Sequence, residues 1–96
     1  MMTVEILNVS LKDKVIHIEA IDISEENLMR LERRDDGCER ELQFVFDTRE
    51  KKACQYLISW LHRQKAAKGC RTYGEALRAV EGTRTQINGK YIVWDF

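Results

Sequence analysis

Residues 41–61 read ELQFVFDTREKKACQYLISWL, and within this stretch the apolar pattern changes its period. Leu42, Phe44 and Phe46 alternate with polar residues, which predicts a strand with one face in the core. Further along, apolar residues recur every three or four positions, as they do on the buried stripe of an amphipathic helix. A strand that leads into a long helix indicates an α+β domain.

The segment before this stretch is predicted to form a β-hairpin and a helix. Residues 3–11 and 15–23 are predicted strands joined by a polar turn. The uneven apolar alternation of the first strand indicates either a bulge or two partly covered faces. Ser24 is predicted to cap a helix that ends at Gly37, because serine accepts backbone N–H groups and glycine adopts the left-handed conformation at helix ends.

The helix of the opening stretch is predicted to be long, over residues 48–68. Asp47 and Glu50 have the spacing of a capping box at its start. Gly69 is the predicted stop. This helix would supply the main apolar stripe that covers the sheet.

A second capping box predicts a short helix after that stop. Thr72 and Glu75 form the box, and the helix is expected to run through Val80 and to bury Tyr73 and Leu77. These apolar positions are three and four residues apart and therefore share one face.

The last residues are predicted to form a second hairpin. Residues 83–87 and 90–96 flank Asn88-Gly89, a pair that favours a two-residue hairpin turn. The predicted order is therefore ββαβααββ. The fold class is α+β: one compact domain over residues 1–96, with a small antiparallel or mixed sheet of about five strands against two to three helices.

The formal net charge of zero hides two halves of opposite sign. Residues 1–48 hold 6 Lys/Arg and 12 Asp/Glu, a net of −6, whereas residues 49–96 hold 10 Lys/Arg and 4 Asp/Glu, a net of +6. Such asymmetry indicates a charged partner. It is the one global feature of the chain that points toward function.

The basic half supplies a candidate surface for DNA, RNA or an acidic protein. Clustered cations neutralise phosphates, and the order helix, helix, hairpin over residues 49–95 resembles a winged helix-turn-helix. Against this, the short helix carries Glu75 and Glu81 beside a single Arg78, and lysines on a long helix also serve as its solvated face. The candidate residues are Arg49, Lys52, Arg63, Lys65, Lys68, Arg71, Arg84 and Lys90.

The acidic half supplies a second candidate surface. Closely spaced carboxylates can occupy a nucleic-acid-binding site on another protein, and opposed halves would also allow a homodimer. Arginines interrupt this run, so local pairing is the alternative. The candidate residues are Glu25, Glu26, Glu32, Asp35, Asp36 and Glu39.

No motif for catalysis, phosphate cradling or metal binding is present. His17 and His62 are the only histidines, and Cys38, Cys54 and Cys70 lack the spacing of a zinc site or a disulfide framework. We therefore predict a cytoplasmic protein without cofactor, metal or membrane segment. Its predicted function is that of a non-enzymatic inhibitor that binds a protein partner, of the type that phages or mobile elements direct against nucleic-acid-processing complexes. The alternative is a regulator that binds nucleic acid directly.

Overall fold

The computed structural model describes residues 2–24 and 41–93. Its regular elements are, in chain order, β1 (Met2–Lys12), β2 (Val15–Asp22), β3 (Glu41–Asp47), α1 (Lys51–Arg63), α2 (Tyr73–Ala79), β4 (Arg84–Ile87) and β5 (Ile92–Val93). Two 3-10 turns, Lys65–Ala67 and Gly89–Tyr91, follow α1 and β4. The strands form one antiparallel sheet in the order β4-β1-β2-β3-β5, so the predicted α+β class is confirmed. Beyond Ser24, the predicted helix to Gly37 lies outside the described residues.

Of the two alternatives predicted for the first strand, the bulge is present in β1. The register with β2 shifts between Ile6 and Asn8. Because of that extra residue, Val4, Ile6 and Val9 all face the core although their spacing is uneven. Leu11, further along the same strand, remains 65% exposed.

The predicted hairpin of the last two strands is wrong. β4 pairs with β1 and β5 pairs with β3, at opposite edges of the sheet. A two-residue type I′ turn needs positive φ at both central residues, but Asn88 has a φ of −73°. Asn88 instead caps the second 3-10 turn, where its Oδ1 accepts the backbone N–H of Lys90 at 2.9 Å. The resemblance to a winged helix-turn-helix therefore fails at the wing.

The short connection between β4 and β5 requires the sheet to curl. In a flat sheet the two edges would lie about 19 Å apart, four strand spacings of about 4.8 Å. The five steps from Ile87 to Ile92 span at most about 17 Å when fully extended, and three of the linking residues form a compact 3-10 turn. The two edges therefore approach each other. Residues 84–93 supply both edge strands, β4 paired with β1 and β5 paired with β3.

The buried face of the sheet packs against α1 and α2. Ile18 and Phe44 lie at its centre, while Leu57 and Trp60 of α1 project onto it. The Trp60 side chain is 1% exposed, and its Nε1–H donates to the carbonyl oxygen of Gln86 in β4 at 2.8 Å. This bond fixes the carboxyl end of α1 against one edge of the sheet.

Three aromatic rings pack beside the connection between β4 and β5. The centroid of Tyr91 lies 4.8 Å from that of Phe46 and 5.0 Å from that of Tyr56. The hydroxyl oxygen of Tyr56 accepts the backbone N–H of Asn88 at 2.8 Å. The connection is therefore held in place by α1 in addition to its pairing with the sheet.

The α1 helix is shorter at both ends than predicted. It begins at Lys51 because Glu50 is extended, with a ψ of 115°, and the Glu50 N–H closes a separate turn on the carbonyl oxygen of Asp47, the predicted cap. It ends at Arg63, since Gln64 is extended with a ψ of 125°. The Gln64 Nε2 donates to the carbonyl oxygen of Trp60 at 3.0 Å and so satisfies one open group at this helix end.

The α2 helix has the predicted cap but not the predicted buried face. The Thr72 Oγ1 accepts the backbone N–H of Glu75 at 3.1 Å. Leu77 and Val80 are buried as expected, whereas Tyr73 is 53% exposed. The burial prediction for Tyr73 is wrong because this residue, at the first position of a short helix, packs on His62 of α1 and not on the sheet.

Candidate functional site

All eight predicted cations are exposed, but two of them are paired with carboxylates. Arg49 precedes α1 and makes a two-bond contact with Asp47, in which both nitrogen–oxygen distances are 2.9 Å. These hydrogen bonds hold the pKa of the Asp47 carboxyl below its ordinary value. Arg84 lies on β4, not on a hairpin, and its Nε approaches Glu5 Oε1 at 3.3 Å.

Two further predicted cations are unpaired but isolated from the others. Lys52 lies in the first turn of α1, and Lys90 lies in the second 3-10 turn and not on a hairpin strand. Neither side chain makes an ion pair with a described residue, and neither lines a groove with the remaining cations. They carry solvated charge at separate places in the fold.

The structure brings the remaining four cations to one end of α1. Each is exposed, and none makes an ion pair with a described residue. Residues 51–74 contain no aspartate or glutamate at all. We call this group of four cations the α1-end surface: Arg63, Lys65, Lys68 and Arg71.

The first groove on this surface has a volume of about 460 Å³. Lys68 and Arg71 line it, together with His62 at the end of α1 and Tyr73 at the start of α2. Gly69 turns the chain around the groove with a φ of +85°, a conformation that costs other residues energy. The groove is thus built from the turn that follows α1.

The second groove has a volume of about 380 Å³ and lies against β4. Arg63 lines it with Trp60 and with Gln86 of the strand. Gln64 lines both grooves, so the two are neighbours along the surface. An extended ligand that crosses Gln64 would contact cations on both sides.

Two backbone N–H groups at the start of α2 are already bonded. The Glu75 Oε2 accepts the backbone N–H of Arg71 at 2.9 Å, and Thr72 accepts that of Glu75. These two N–H groups are therefore not free to hold an anion. The side chains of Lys68 and Arg71 line the first groove and supply its positive charge.

A separate pair of charges supports the sheet. Glu81 Oε2 accepts the backbone N–H of Val9 at 2.9 Å, and Arg78 donates to the Val9 carbonyl oxygen at 3.1 Å. Val9 lies on β1 beyond its pairing with β4, so the two side chains replace a neighbouring strand. The bond from Val9, followed by the contact with Arg78, lowers the pKa of Glu81.

The other predicted site residues have no shared site in the described chain. The acidic candidates between Glu25 and Glu39 lie outside the described residues. The His17 ring contacts the Gln43 side chain at 3.4 Å, and the His62 ring meets Tyr73 edge to face. Cys54 and Cys70 are free thiols, and over residues 2–24 and 41–93 no three metal-ligating side chains cluster.

Sequence reasoning missed two residues that line these grooves, Gln64 and Tyr73. Gln64 was expected inside a continuous helix, and Tyr73 was expected in the core because it shares a helical face with Leu77. The signal that marks their neighbourhood is the run without acidic residues from 51 to 74.

Comparison of the chain with protein-family models, curated proteins and solved structures gave no match. Within the described part of the chain, no helix is both long and apolar enough to cross a membrane. The case for a function therefore rests on the surface itself.

Proposed function

We propose that the protein is a cytoplasmic, non-enzymatic binding module that binds nucleic acid through the α1-end surface. One observation carries the proposal: the exposed cations Arg63, Lys68 and Arg71 line two adjoining grooves, and Lys65 follows Gln64, which the two grooves share. None of these four cations makes an ion pair with a described residue. Unpaired lysines and arginines neutralise phosphates at the lowest cost, because no existing contact has to be broken. Of the two partners predicted from sequence, nucleic acid is favoured because an exposed aromatic ring stands beside these cations.

The test is binding of short labelled DNA and RNA, single-stranded and duplex, followed by fluorescence anisotropy at low and at physiological salt. We expect affinity that falls steeply as salt rises, since each neutralised phosphate releases counterions. The Lys68→Glu/Arg71→Glu variant is expected to lose this binding, because both side chains line the first groove. Lys12→Glu/Lys14→Glu is the matched control, because these two lysines are exposed cations of the first hairpin that line neither groove.

An absence of binding to every nucleic acid at low salt would overturn this proposal. Equal losses in Lys68→Glu/Arg71→Glu and in Lys12→Glu/Lys14→Glu would also overturn the assignment of the surface. If no nucleic acid binds, the next partner to test is an acidic protein that contacts the same cations.

The inhibitor of a nucleic-acid-processing complex, predicted from sequence, stays a prediction. Its acidic candidates lie outside the described residues, so the described geometry adds no argument for it. It differs from direct binding in a measurable way, because an inhibitor of this kind is expected to bind the complex and not the free nucleic acid.

A further inference from the structure

Tyr73 combines an exposed ring with a cationic groove. Its side chain is 53% exposed, and among the described residues the other large exposed apolar side chains, Leu7 and Leu11, are aliphatic and lie on β1. A single exposed apolar residue is common on protein surfaces. Tyr73 differs because Lys68 and Arg71 line the same groove.

The donors around this groove suit a chain of phosphates better than one terminal phosphate group. Two backbone N–H groups at the start of α2 already bond to Thr72 and Glu75. The cationic donors are long side chains spread from Arg63 to Arg71 across two grooves that share Gln64. Separated point charges match the repeating phosphates of an extended backbone.

The exposed ring distinguishes a single strand from a duplex. Bases in a duplex stack on one another and are not open to a side chain on the protein surface, whereas bases of a single strand stack on aromatic rings. A cationic groove beside an aromatic platform is the arrangement that binds single strands with little sequence preference. The perpendicular contact with His62, at a centroid distance of 6.3 Å, holds the Tyr73 ring at the groove.

We propose that the α1-end surface binds single-stranded nucleic acid, with a base stacked on Tyr73 and the backbone phosphates at Lys68, Arg71 and Arg63. This inference rests on the proposed function and specifies its ligand. It assigns to Tyr73 a direct contact with the ligand, whereas phosphate binding by the cations alone would not require this contact.

The test compares a labelled ten-residue oligo(dT) with a ten-base-pair duplex at one salt concentration. We expect the single strand to bind more tightly. Tyr73→Ala is expected to weaken single-strand binding about tenfold, which corresponds to the loss of one stacked base, while Tyr73→Phe retains the affinity. Because Tyr73 is exposed, both variants should keep the fold, and circular dichroism verifies this.

Alkylation of the free cysteines locates the ligand independently of any substitution. Cys70 lines the first groove, whereas Cys54 lies on α1 outside both grooves, and both are half-buried. Oligo(dT) should slow the reaction of iodoacetamide with Cys70 and leave that of Cys54 unchanged, as peptide mapping would show. Equal rates at Cys70 with and without bound oligonucleotide would overturn the placement in this groove.

The outcomes separate this inference from the function on which it rests. If duplex and single strand bind equally and Tyr73→Ala has no effect, while Lys68→Glu/Arg71→Glu abolishes binding, the single-strand inference is overturned and the proposed function stands. If no oligonucleotide binds at low salt, both are overturned.

Discussion

The arginines around the sheet and the cations at the end of α1 have the same charge but different surroundings. Arg49, Arg78 and Arg84 each contact a carboxylate, at 2.9, 3.2 and 3.3 Å respectively. The side chains of the four cations of the α1-end surface make no ion pair with a described residue. The net charge of the basic half therefore overstates how much positive charge is available to a ligand.

The sequence explains why the two groups differ. Arg49 and Arg78 have carboxylates two and three residues away, and Arg84 faces Glu5 across neighbouring strands. No carboxylate lies between Glu50 and Glu75. The Glu75 carboxylate accepts the backbone N–H of Arg71 and makes no ion pair with a side chain of that segment. The first group is therefore paired within the fold, and the second group is available to a ligand.

The largest predicted effect comes from Trp60, which links α1 to β4 through its bond to the Gln86 carbonyl oxygen. Trp60→Ala should lower the free energy of unfolding by about 3–5 kcal/mol, because a buried indole leaves a cavity between α1 and the sheet. Trp60→Phe retains most of the volume but leaves the Gln86 carbonyl without its donor, and should cost about 1 kcal/mol. Urea unfolding measures the stability of both variants. Equal losses in Trp60→Ala and Trp60→Phe would contradict the claim that the buried volume contributes more than the hydrogen bond.

Glu81 tests the charges that support the sheet. Glu81→Ala should cost about 1–3 kcal/mol of unfolding free energy, because the Val9 N–H loses its acceptor, and should leave oligonucleotide affinity unchanged. Glu81→Gln, which still offers an oxygen to Val9, is the matched control with a smaller loss. A parallel fall in affinity would show that the two groups of charges are not separate.

The lowered pKa of Glu81 gives this contact a pH dependence of known sign. A carboxyl whose pKa is lower in the folded state contributes stability above its ordinary pKa of about 4.3 and loses it as the pH falls through the folded-state pKa. The difference in stability between the wild type and Glu81→Gln should therefore shrink on acidification. A constant difference at all pH values would contradict the bond to Val9.

Gly69 tests the turn that builds the first groove. Gly69→Ala should cost about 1–2 kcal/mol, because an alanine at a φ of +85° is strained although no atom lies within 4 Å of the added Cβ. Gly74→Ala is the control, since Gly74 has no positive φ and its Cβ would meet only Thr72 Oγ1, at 3.8 Å. Thermal unfolding should separate the two variants, and similar melting temperatures would contradict the role of the turn.

The smallest predicted effect is an increase in affinity. Glu75→Gln removes the negative charge nearest in sequence to Arg71 yet keeps an oxygen for the Arg71 N–H. The affinity for oligonucleotides should rise about twofold, the size expected of one exposed charge. A decrease in affinity would show that Glu75 positions the ligand and does not repel it.

The sequence predicted regular elements better than it predicted their partners. The alternation in β3, the bulge in β1 and the cap at Thr72 are local features, and the structure contains all three. The pairing of β4 with β1 and of β5 with β3 depends on the curl of the whole sheet. The Asn88-Gly89 pair is a local signal and therefore predicted the wrong strand partners. The exposure of Tyr73 likewise depends on where the sheet ends relative to α2.

For the site, sequence located the cations but not their surroundings. All four residues of the α1-end surface were among the predicted candidates, since lysine and arginine clusters are visible in any sequence. Which candidates a carboxylate neutralises follows from side-chain geometry, as the pairing of Arg84 with Glu5 shows. The grooves that join at Gln64 depend on the end of α1 at Arg63, five residues before the predicted end.

The salt dependence of oligonucleotide affinity tests the central claim most directly. Because each lost phosphate contact reduces the slope of log affinity against log salt by about one, Lys68→Gln/Arg71→Gln should reduce its magnitude by about two. Arg49→Gln/Arg84→Gln removes the same formal charge from paired positions and should leave the slope of the wild type unchanged. Equal reductions in the two double variants would contradict the claim that only the unpaired cations of the α1-end surface bind the ligand.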